Sequence, residues 1–321
     1  MSQTGGKAKP SGSLARSDAR AGLTLISPTL IIVLFMVVLP ILWTVILAFQ
    51  PLSLLTLAVT GLFSTDFTLD NFRTVLTEPG FVDSLITTLA YSVLGTASAI
   101  GVGLVAALCM RETFRGRTFV RAAMLLPYVA PVVAATFVWR TMLDPQFGFV
   151  NYWGIRLLGW DEPIAFFTQQ SSQVSLLGLE VTLPTALLSV IAFEAWRSFP
   201  FAFLFLMARL QAVPAALEEA AKVDGATPTQ RFRYVLLPQL LPTIAVLSIL
   251  RFIWTFNSFD DIYLLTGGGA GTEVVSIRVY EFLTARGDIG LASAQALVLA
   301  LILSVLVGLY LWRFAPQEEK T

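Results

Sequence analysis

Hydrophobic residues form six long runs in this 321-residue chain, and polar residues gather between the runs. A helix that crosses a bilayer needs about 20 mostly apolar residues, and each run reaches that length. The fourth run is interrupted by Glu194 and Arg197, and the fifth by Arg251. This pattern predicts an all-α membrane protein with six transmembrane helices, at about residues 22–49, 84–110, 119–143, 183–208, 235–259 and 289–312.

The six runs divide the chain into a central domain, residues 22–312, and two polar ends. Residues 1–21 are rich in Gly, Ser, Lys and Ala, and we expect a disordered basic tail there. Residues 313–321 form a second short tail. The first run follows several basic residues, as in a signal peptide, but it exceeds the about 7–15 apolar residues of such a segment. We therefore expect an uncleaved first span.

Basic residues are distributed unequally between the segments that join the runs. With six spans, the two tails and two of the loops carry fourteen Lys and Arg, whereas the opposite side carries four. Lys and Arg are enriched on the cytoplasmic side of membrane proteins. Both termini and the segment between the fourth and fifth runs are thus predicted to be cytoplasmic, and the long polar segment 144–182 to lie outside.

The composition changes which functions are plausible. The chain is 56% hydrophobic and 13% charged, against about 25% charge in typical soluble domains. The net charge is zero, so nothing indicates a nucleic-acid partner. The chain has no histidine, which is the commonest general base and metal ligand, and we expect neither catalytic residues nor a metal site.

A charged stretch, "EEAAKVDGATPTQRFRYVLLPQLLP" (residues 218–242), separates the fourth and fifth runs. Pro214 can begin a helix, residues 215–223 are strong helix formers, and Gly225 suits the left-handed backbone that ends a helix. A second helix start, with a capping box, is formed by Thr227, Pro228 and Gln230. The stretch predicts two short cytoplasmic helices with a bend at Gly225-Ala226. An amphipathic loop lying on the membrane surface is the alternative.

Several fixed spacings in this stretch resemble a known family motif. Glu219-Ala220-Ala221, Gly225, Val235 and Leu237-Pro238 resemble the EAA motif of ABC importer permeases. "AVPAALEEAAKVDGAT" and "FNSFDDIYLLTGGGAGTE" are similar to the carbohydrate class, in particular to the first permease partner of maltose, trehalose and glycerol-phosphate systems. Two positions depart from the pattern, since Val235 replaces the usual isoleucine and Ala270 the usual proline.

The resemblance implies a function and a set of partners. It implies a permease subunit of an ATP-driven importer in a bacterial or archaeal cytoplasmic membrane, forming the path for a sugar or sugar-like solute. The partners would be a second similar permease, an ABC ATPase dimer that holds ATP and Mg, and an extracytoplasmic binding protein that delivers the solute. The chain itself would be no enzyme. The implied coupling residues are Glu218, Glu219, Ala220, Ala221, Asp224, Gly225, Ala226 and Pro238.

Polar side chains in the fourth and fifth runs indicate where a solute would pass. Charges at membrane depth cost about 2.5–3.5 kcal/mol on insertion scales, so they usually face a cavity or a partner. Spacings of three and four residues place these side chains on one face of each helix. The predicted path residues are Glu194, Trp196, Arg197, Ser198, Arg251, Thr255, Asn257 and Ser258, with Trp254 and Phe256 as further aromatic candidates. By resemblance, the maltose-type site uses the positions matching Glu194, Arg197, Ser198, Arg251, Thr255 and Ser258.

Other interpretations of the same residues stay open. Each polar side chain can instead serve helix packing or pair along its own helix. The two arginines can favour an anionic solute or be neutralised by Glu194, and we expect Arg251→Ala to alter solute affinity more than assembly. An ion-coupled secondary transporter, with Glu194 as its titratable residue, is the alternative function. The pair Asp260-Asp261 is interpreted as a solvated helix end or gate, and Gly267-Gly268-Gly269 lacks the lysine of a phosphate loop.

Overall fold

The computed structural model describes residues 12–60, 66–176 and 179–314, and helices dominate these ranges. The helices are α1 Gly12–Val33, α2 Leu39–Ala48, α3 Leu54–Thr60, α4 Asp70–Thr77, α5 Phe81–Cys109, α6 Arg117–Val129, α7 Val132–Met142, α8 Phe149–Leu158, α9 Thr185–Gln211, α10 Ala215–Val223, α11 Pro228–Arg231, α12 Leu237–Phe256, α13 Asp260–Thr266, α14 Val275–Thr284 and α15 Ile289–Phe314. A π-helical turn, Leu34–Val38, joins α1 to α2, and a second one, Phe232–Leu236, joins α11 to α12.

Five of the helical segments are long and apolar enough to cross a membrane. They are Thr24–Ala48, Phe81–Cys109, Thr185–Gln211, Pro228–Phe256 and Ile289–Arg313. Each coincides with one of the six predicted runs, so the helical character of these runs is confirmed. Counting α6 and α7 together as one broken span would raise the number to six. The number of spans and the sides on which the termini lie stay predictions.

The third run is broken, where the sequence predicts one span over residues 119–143. Helices α6 and α7 meet at an angle of 100°. Ala130 between them is extended, with φ −62° and ψ 136°, and Pro131 follows it. A proline disfavours the helical conformation of the residue before it and offers no N–H to the preceding turn. The hydrophobic run therefore turns at this point instead of continuing straight.

The predicted terminal tails need correction where the structure describes them. Helix α1 begins at Gly12, so residues 12–21 are helical rather than disordered. Extending an existing helix costs far less than nucleating one, and the segment is rich in Ala and Arg, which favour helix. At the other end, α15 continues to Phe314. Residues 1–11 and 315–321 lie outside the described residues.

A short β-hairpin corrects the all-α expectation. Strands β1, Ser172–Leu176, and β2, Leu179–Leu183, pair antiparallel, with Ser172 opposite Leu183. The hairpin lies in the segment predicted to be exterior. The Ser172 and Thr185 hydroxyls are 2.5 Å apart and join the base of the hairpin to the first turn of α9. Polar and apolar residues alternate over "QVSL", which is a strand signal that is too short to appear as a long hydrophobic run.

The centre of the fold is the contact between α5 and α9, against which α12 also packs. Gly103 on α5 makes this contact close, because a Cβ atom there would lie 2.7 Å from the Cβ of Ala202 and 2.9 Å from the backbone nitrogen of Phe203. Small residues allow helix backbones in a membrane to approach each other. Phe203, Leu206 and other buried apolar side chains surround the contact. The polar faces of α9 and α12 are thereby held next to each other.

We expect Gly103→Leu to destabilise the protein strongly, because the new side chain would collide with the α9 backbone. Overpacking costs typically 1–3 kcal/mol, and about 1 kcal/mol of helix propensity gained from removing glycine offsets only part of this cost. The matched control is Gly101→Leu, since Gly101 is exposed and no described atom lies within 4 Å of its added Cβ. The melting temperature of the detergent-solubilised protein should fall for Gly103→Leu and not for Gly101→Leu. Equal melting temperatures of the Gly103→Leu and Gly101→Leu variants would contradict the close contact between α5 and α9.

Candidate functional site

A polar cavity of about 410 Å³ opens between α9 and α12. The polar faces of both helices line it, and α6 and α13 complete its wall. The lining residues are Tyr128, Glu194, Arg197, Ser198, Arg251, Trp254, Thr255, Ser258 and Asp261. Six of the eight predicted path residues are therefore brought together in one place.

The deepest polar feature is an ion pair between the Arg251 guanidinium of α12 and the Glu194 carboxylate of α9. The same carboxylate oxygen, Oε1, accepts hydrogen bonds from the Ser198 hydroxyl at 3.1 Å and the Thr255 hydroxyl at 3.3 Å. The side chains of Arg251 and Glu194 are only 6% and 4% exposed. Since removing a charge from water is costly, each of the two buried charges depends on the other. The pair thus ties α9 to α12 across the cavity floor.

A second ion pair joins α9 to α13. Nη1 of Arg197 lies 2.6 Å from Oδ1 of Asp261, whose side chain is 2% exposed, whereas that of Arg197 is 32% exposed. Asp261 was not among the predicted path residues. Asp260 and Asp261 are adjacent, and successive residues on a helix differ by about 100° in direction. Asp260 consequently faces solvent and Asp261 faces the cavity.

Asp261 follows the end of the span that contains α12, and its surroundings alter its acidity. Burial raises the pKa of the Asp261 carboxyl to about 7, the negative charge of Glu194 adds to this rise, and Arg197 acts in the opposite direction. Desolvation disfavours the charged form of a carboxyl group and a neighbouring cation favours it. The charge of the cavity therefore changes near neutral pH through this residue.

Two aromatic rings also line the cavity. Trp254 of α12 and Tyr128 of α6 both line it and are about half exposed. The Phe201 ring lies between them, with centroids 5.1 Å from Trp254 and 6.0 Å from Tyr128. Tyr128 was missed by the sequence analysis, because its only signal is an aromatic residue inside the apolar third run. The cavity thus offers charged groups, hydroxyl groups and aromatic rings to a solute.

Two predicted path residues do not reach the cavity lining. Trp196 packs against Trp139 and Phe193, with ring centroids 5.6 Å and 6.0 Å away. Residues two apart on a helix do not share a face, so Trp196 cannot point with Glu194 and Ser198. The Asn257 amide donates a hydrogen bond of 2.8 Å to the carbonyl of Ile253, and the residue as a whole is exposed. Phe256 is buried in the apolar core.

The charged stretch between α9 and α12 has the predicted local structure. Helices α10 and α11 are separated by Gly225, whose φ is +77°. The predicted capping box is confirmed: Thr227 Oγ1 accepts from the Gln230 N–H at 3.3 Å, and Gln230 Oε1 accepts from the Thr227 N–H at 2.8 Å. Of the implied coupling residues, Glu218 is buried and Ala221 and Ala226 are half-buried. The exposed ones are Glu219, Ala220, Asp224, Gly225 and Pro238.

The second helix of this stretch is not separate from the following span. A single helical segment runs from Pro228 to Phe256, through the π-helical turn at Phe232–Leu236. Pro238 lies in the first turn of α12, immediately after this wide turn. Because proline offers no N–H to the helix, a local change in hydrogen-bond pattern lets the helix pass it without ending. Helices α11 and α12 are therefore parts of one continuous helical segment.

An ion pair fixes the first helix of the stretch to the end of α5. The Arg111 guanidinium contacts both carboxylate oxygens of Glu218, with Nη1 2.8 Å from Oε2. The hydrogen bond from Arg111 lowers the pKa of the Glu218 carboxyl, so the pair stays charged at neutral pH. An open groove of about 490 Å³ lies beside this pair, between α10, α11 and the end of α5. The sequence alone offered no signal for this pairing across 107 positions.

The site is a polar cavity between apolar helices, an arrangement typical of membrane transport proteins. A profile of the family "binding-protein-dependent transport system inner membrane component" matches residues 99–315. The chain belongs to this family. It is therefore an inner membrane permease subunit of the ABC transporter type rather than an enzyme.

Relatives and solved structures support this assignment. The chain is 33% identical to an inner membrane ABC transporter permease protein, YcjO, of Escherichia coli, covering 91% of this chain and 93% of the relative. It is also 33% identical to the trehalose/maltose transport system permease protein MalF of Thermococcus litoralis, over 92% of this chain and 95% of the relative. The fold matches a bacterial ABC transporter involved in alginate import, with a TM-score of 0.76 at 24% identity, covering 93% and 96% of the two chains.

Proposed function

We propose that this chain forms the translocation path of an ATP-driven importer for a sugar or sugar-like solute. The observation that carries the proposal is the cavity between α9 and α12, which combines paired charges, hydroxyl groups and two aromatic faces. Sugars need many hydrogen bonds together with apolar contacts to their rings, and pockets of this volume hold small molecules. Relatives named for trehalose/maltose and for glycerol-3-phosphate transport support the solute class.

The proposed assembly contains a second similar permease, an ATPase dimer that holds ATP and Mg, and an extracytoplasmic binding protein. The name of the family supports the binding protein. We place both termini and helices α10 and α11 on the cytoplasmic side, with six spans, because of the distribution of Lys and Arg. The groove beside Glu218 and Arg111 then faces the ATPase subunits.

The connection from α11 to α12 suggests how ATP hydrolysis would act on the cavity. A push on α10 and α11 moves the continuous segment Pro228–Phe256 as a lever. That segment carries Arg251 and Thr255, while Glu194 stays on α9. Movement of α12 relative to α9 opens or closes the cavity. Rigid helices that shift against each other are a common way to switch access in such proteins.

An ion-coupled secondary transporter fits less well. Such a protein needs a titratable residue that exchanges protons, and Glu194 is the candidate that the sequence suggested. In the structure the Glu194 carboxylate is instead engaged in an ion pair with the Arg251 guanidinium and accepts hydrogen bonds from two hydroxyl groups. Membership of a binding-protein-dependent family also favours the ATP-driven importer.

The experiment that tests this proposal is uptake into proteoliposomes that contain the complete complex. We expect uptake to require ATP on the side of the liposome membrane that the ATPase subunits face. Uptake should stop when the ATPase subunits are omitted. Replacing residues 215–231 by a flexible Gly-Ser linker of equal length should remove uptake while ATP hydrolysis continues, because such a linker transmits no push. Uptake driven by an ion gradient without the ATPase would disprove the proposal. Full uptake with the linker variant would disprove the lever.

A further inference from the structure

The cavity lining carries equal numbers of positive and negative side chains, and this balance bears on the charge of the solute that it can bind. Two guanidinium groups and two carboxylates line the cavity, and each guanidinium contacts one carboxylate. We propose that the cavity selects an uncharged polyhydroxy solute and rejects phosphorylated sugars and sugar acids. This inference rests on the proposed function, because it concerns the same cavity, and it narrows the class of solute.

The charge of Arg251 is already compensated by a carboxylate. Its guanidinium is engaged by Glu194, and both side chains are almost completely buried. Thr255 and Ser198 direct their hydroxyl groups to the same carboxylate oxygen. A solute phosphate that took Arg251 would leave the Glu194 carboxylate buried without a cation, which is strongly unfavourable.

Arg197 is the more accessible cation, but it is paired with the Asp261 carboxylate. Its partner Asp261 is buried, and Glu194 is near enough to Asp261 to influence its pKa. A solute anion that approached Arg197 would meet the negative charge of Asp261, and like charges placed together disfavour binding. The exposed part of the Arg197 side chain can still donate hydrogen bonds to a neutral acceptor.

A neutral sugar fits the same groups without breaking either ion pair. A hydroxyl group both donates and accepts, so it can bond to a paired guanidinium and to a paired carboxylate. Ser258 adds a further hydroxyl to the lining, and the rings of Tyr128 and Trp254 can cover the apolar faces of a sugar ring. A trehalose/maltose relative and a glycerol-3-phosphate relative are both 33% identical to this chain, over 92% and 80% of its length, so percentage identity does not choose between the two solute classes. The paired charges of the cavity favour a neutral sugar over a phosphorylated solute.

The balance holds only while Asp261 is charged. Burial raises its pKa to about 7, so one pH unit above this value the cavity is neutral, and one unit below it Arg197 loses its partner. The charged and titratable groups that interact with Asp261 are Glu194 and Arg197 on α9, Tyr91 on α5 and Asp260 on α13. Arg251 on α12 lines the same cavity, and Arg140 on α7 donates a hydrogen bond to the Leu264 carbonyl of α13. Acid is thus expected to give the cavity a positive charge and to weaken its rejection of anions.

The test measures binding to the purified complex in the absence of the binding protein, so that only the permease cavity is probed. The neutral probes are glucose, maltose and trehalose, and the charged probes are glucuronate, glucose 6-phosphate and glycerol 3-phosphate. One pH unit above the pKa of Asp261, we expect thermal stabilisation by at least one neutral probe and by none of the charged probes. Stabilisation by a charged probe, or by no neutral probe, overturns the inference.

Substitutions at the two adjacent aspartates provide the matched comparison. Asp261→Asn frees Arg197 and should raise affinity for glucuronate on the order of tenfold, whereas Asp260→Asn removes the same charge from the exposed side and should leave it unchanged. Equal effects of the two substitutions would contradict the inference. If the Asp261→Asn complex does not assemble, the unmodified complex is measured one pH unit below the pKa of Asp261. It must then show the same gain in affinity for glucuronate, because glucuronate keeps its negative charge at that pH.

The outcomes separate this inference from the proposed function. ATP-dependent uptake of an anionic solute through the complex would overturn the neutral-solute inference and leave the importer proposal standing. Uptake that does not depend on the ATPase would overturn the importer proposal, whichever probe binds to the cavity.

Discussion

Replacing Gly225 by valine is expected to abolish ATP-driven uptake while the complex still assembles. Gly225 has φ +77°, in a region that costs a residue with a Cβ roughly 1–2 kcal/mol and a β-branched residue more. Its N–H also donates to the Lys222 carbonyl at 3.1 Å. Because no described atom lies within 4 Å of an added Cβ, the effect comes from the backbone and not from a collision.

The matched control for this position is Gly225→Asn. Asparagine tolerates the left-handed conformation, so the bend between α10 and α11 is retained and uptake should stay near the original level. Gly225→Pro should be at least as harmful as valine, since proline fixes φ near −65° and has no N–H. The measurements are uptake and solute-stimulated ATPase activity in proteoliposomes with equal amounts of complex. Uptake by the valine variant at the level of the asparagine variant would show that the bend does not transmit motion.

Glu194→Ala is expected to prevent accumulation of a stable complex, because it leaves the Arg251 guanidinium buried without a partner. Removing one member of a buried ion pair typically costs about 3–5 kcal/mol, which is a large part of the stability of an ordinary domain. Arg251→Ala should have a similar effect, since it strands Glu194. This differs from the sequence-based expectation that Arg251→Ala mainly alters solute affinity. The reason is that Arg251 is buried and paired and does not extend freely into the cavity.

A double substitution distinguishes lost stability from lost transport. Replacing a buried ion pair by apolar residues of similar volume is often neutral or stabilising, so Glu194→Leu combined with Arg251→Met should restore the amount and melting temperature of the complex. Transport should stay absent, because the polar floor of the cavity is gone. Size-exclusion profiles and melting curves in detergent measure the first effect, and proteoliposome uptake the second. If the double variant is no more stable than the single ones, the pair does not hold α9 to α12.

These two predictions concern opposite ends of one mechanical connection. Gly225 belongs to the segment that receives a push, and Glu194 and Arg251 belong to the cavity that would respond. A valine at Gly225 should leave binding of the neutral probes to the purified complex intact, whereas the double substitution should remove it. Binding without uptake is expected for the Gly225 variant and places its defect in the connection to the cavity. Loss of both binding and uptake is expected for the double variant and places its defect in the cavity itself.

The local features of this protein were predictable from its residues. The positions of the long apolar helices follow from runs of about 20 hydrophobic residues, and the bend at Gly225 with the capping box at Thr227 and Gln230 follows from local backbone preferences. The polar faces of α9 and α12 were recognisable from spacings of three and four. Each of these features depends on residues that are close in sequence, so the sequence contains the whole physical cause.

The errors also have local causes that the pattern of runs conceals. A hydrophobic run does not show whether a proline inside it bends the helix or is accommodated. The run turns at Pro131, whereas the helical segment continues through Pro238. The hairpin at Ser172–Leu183 was hidden in a polar segment that has no long run. The helical extension at Gly12 reflects the low cost of continuing a helix that already exists.

The partners of the charged side chains were decided by tertiary structure alone. The sequence supplied Arg197, Arg251 and Glu194, but it left open whether the arginines would attract an anion or be neutralised. Glu194 pairs with Arg251 across 57 positions, and Arg197 pairs with Asp261 across 64. The packing of α9 against α12 and α13 brings these groups within contact distance and buries Glu194, Arg251 and Asp261, and a buried charge must then find its counter-charge nearby. Composition fixes the charges that a chain carries, whereas only the packed helices determine which of them remain free to meet a solute.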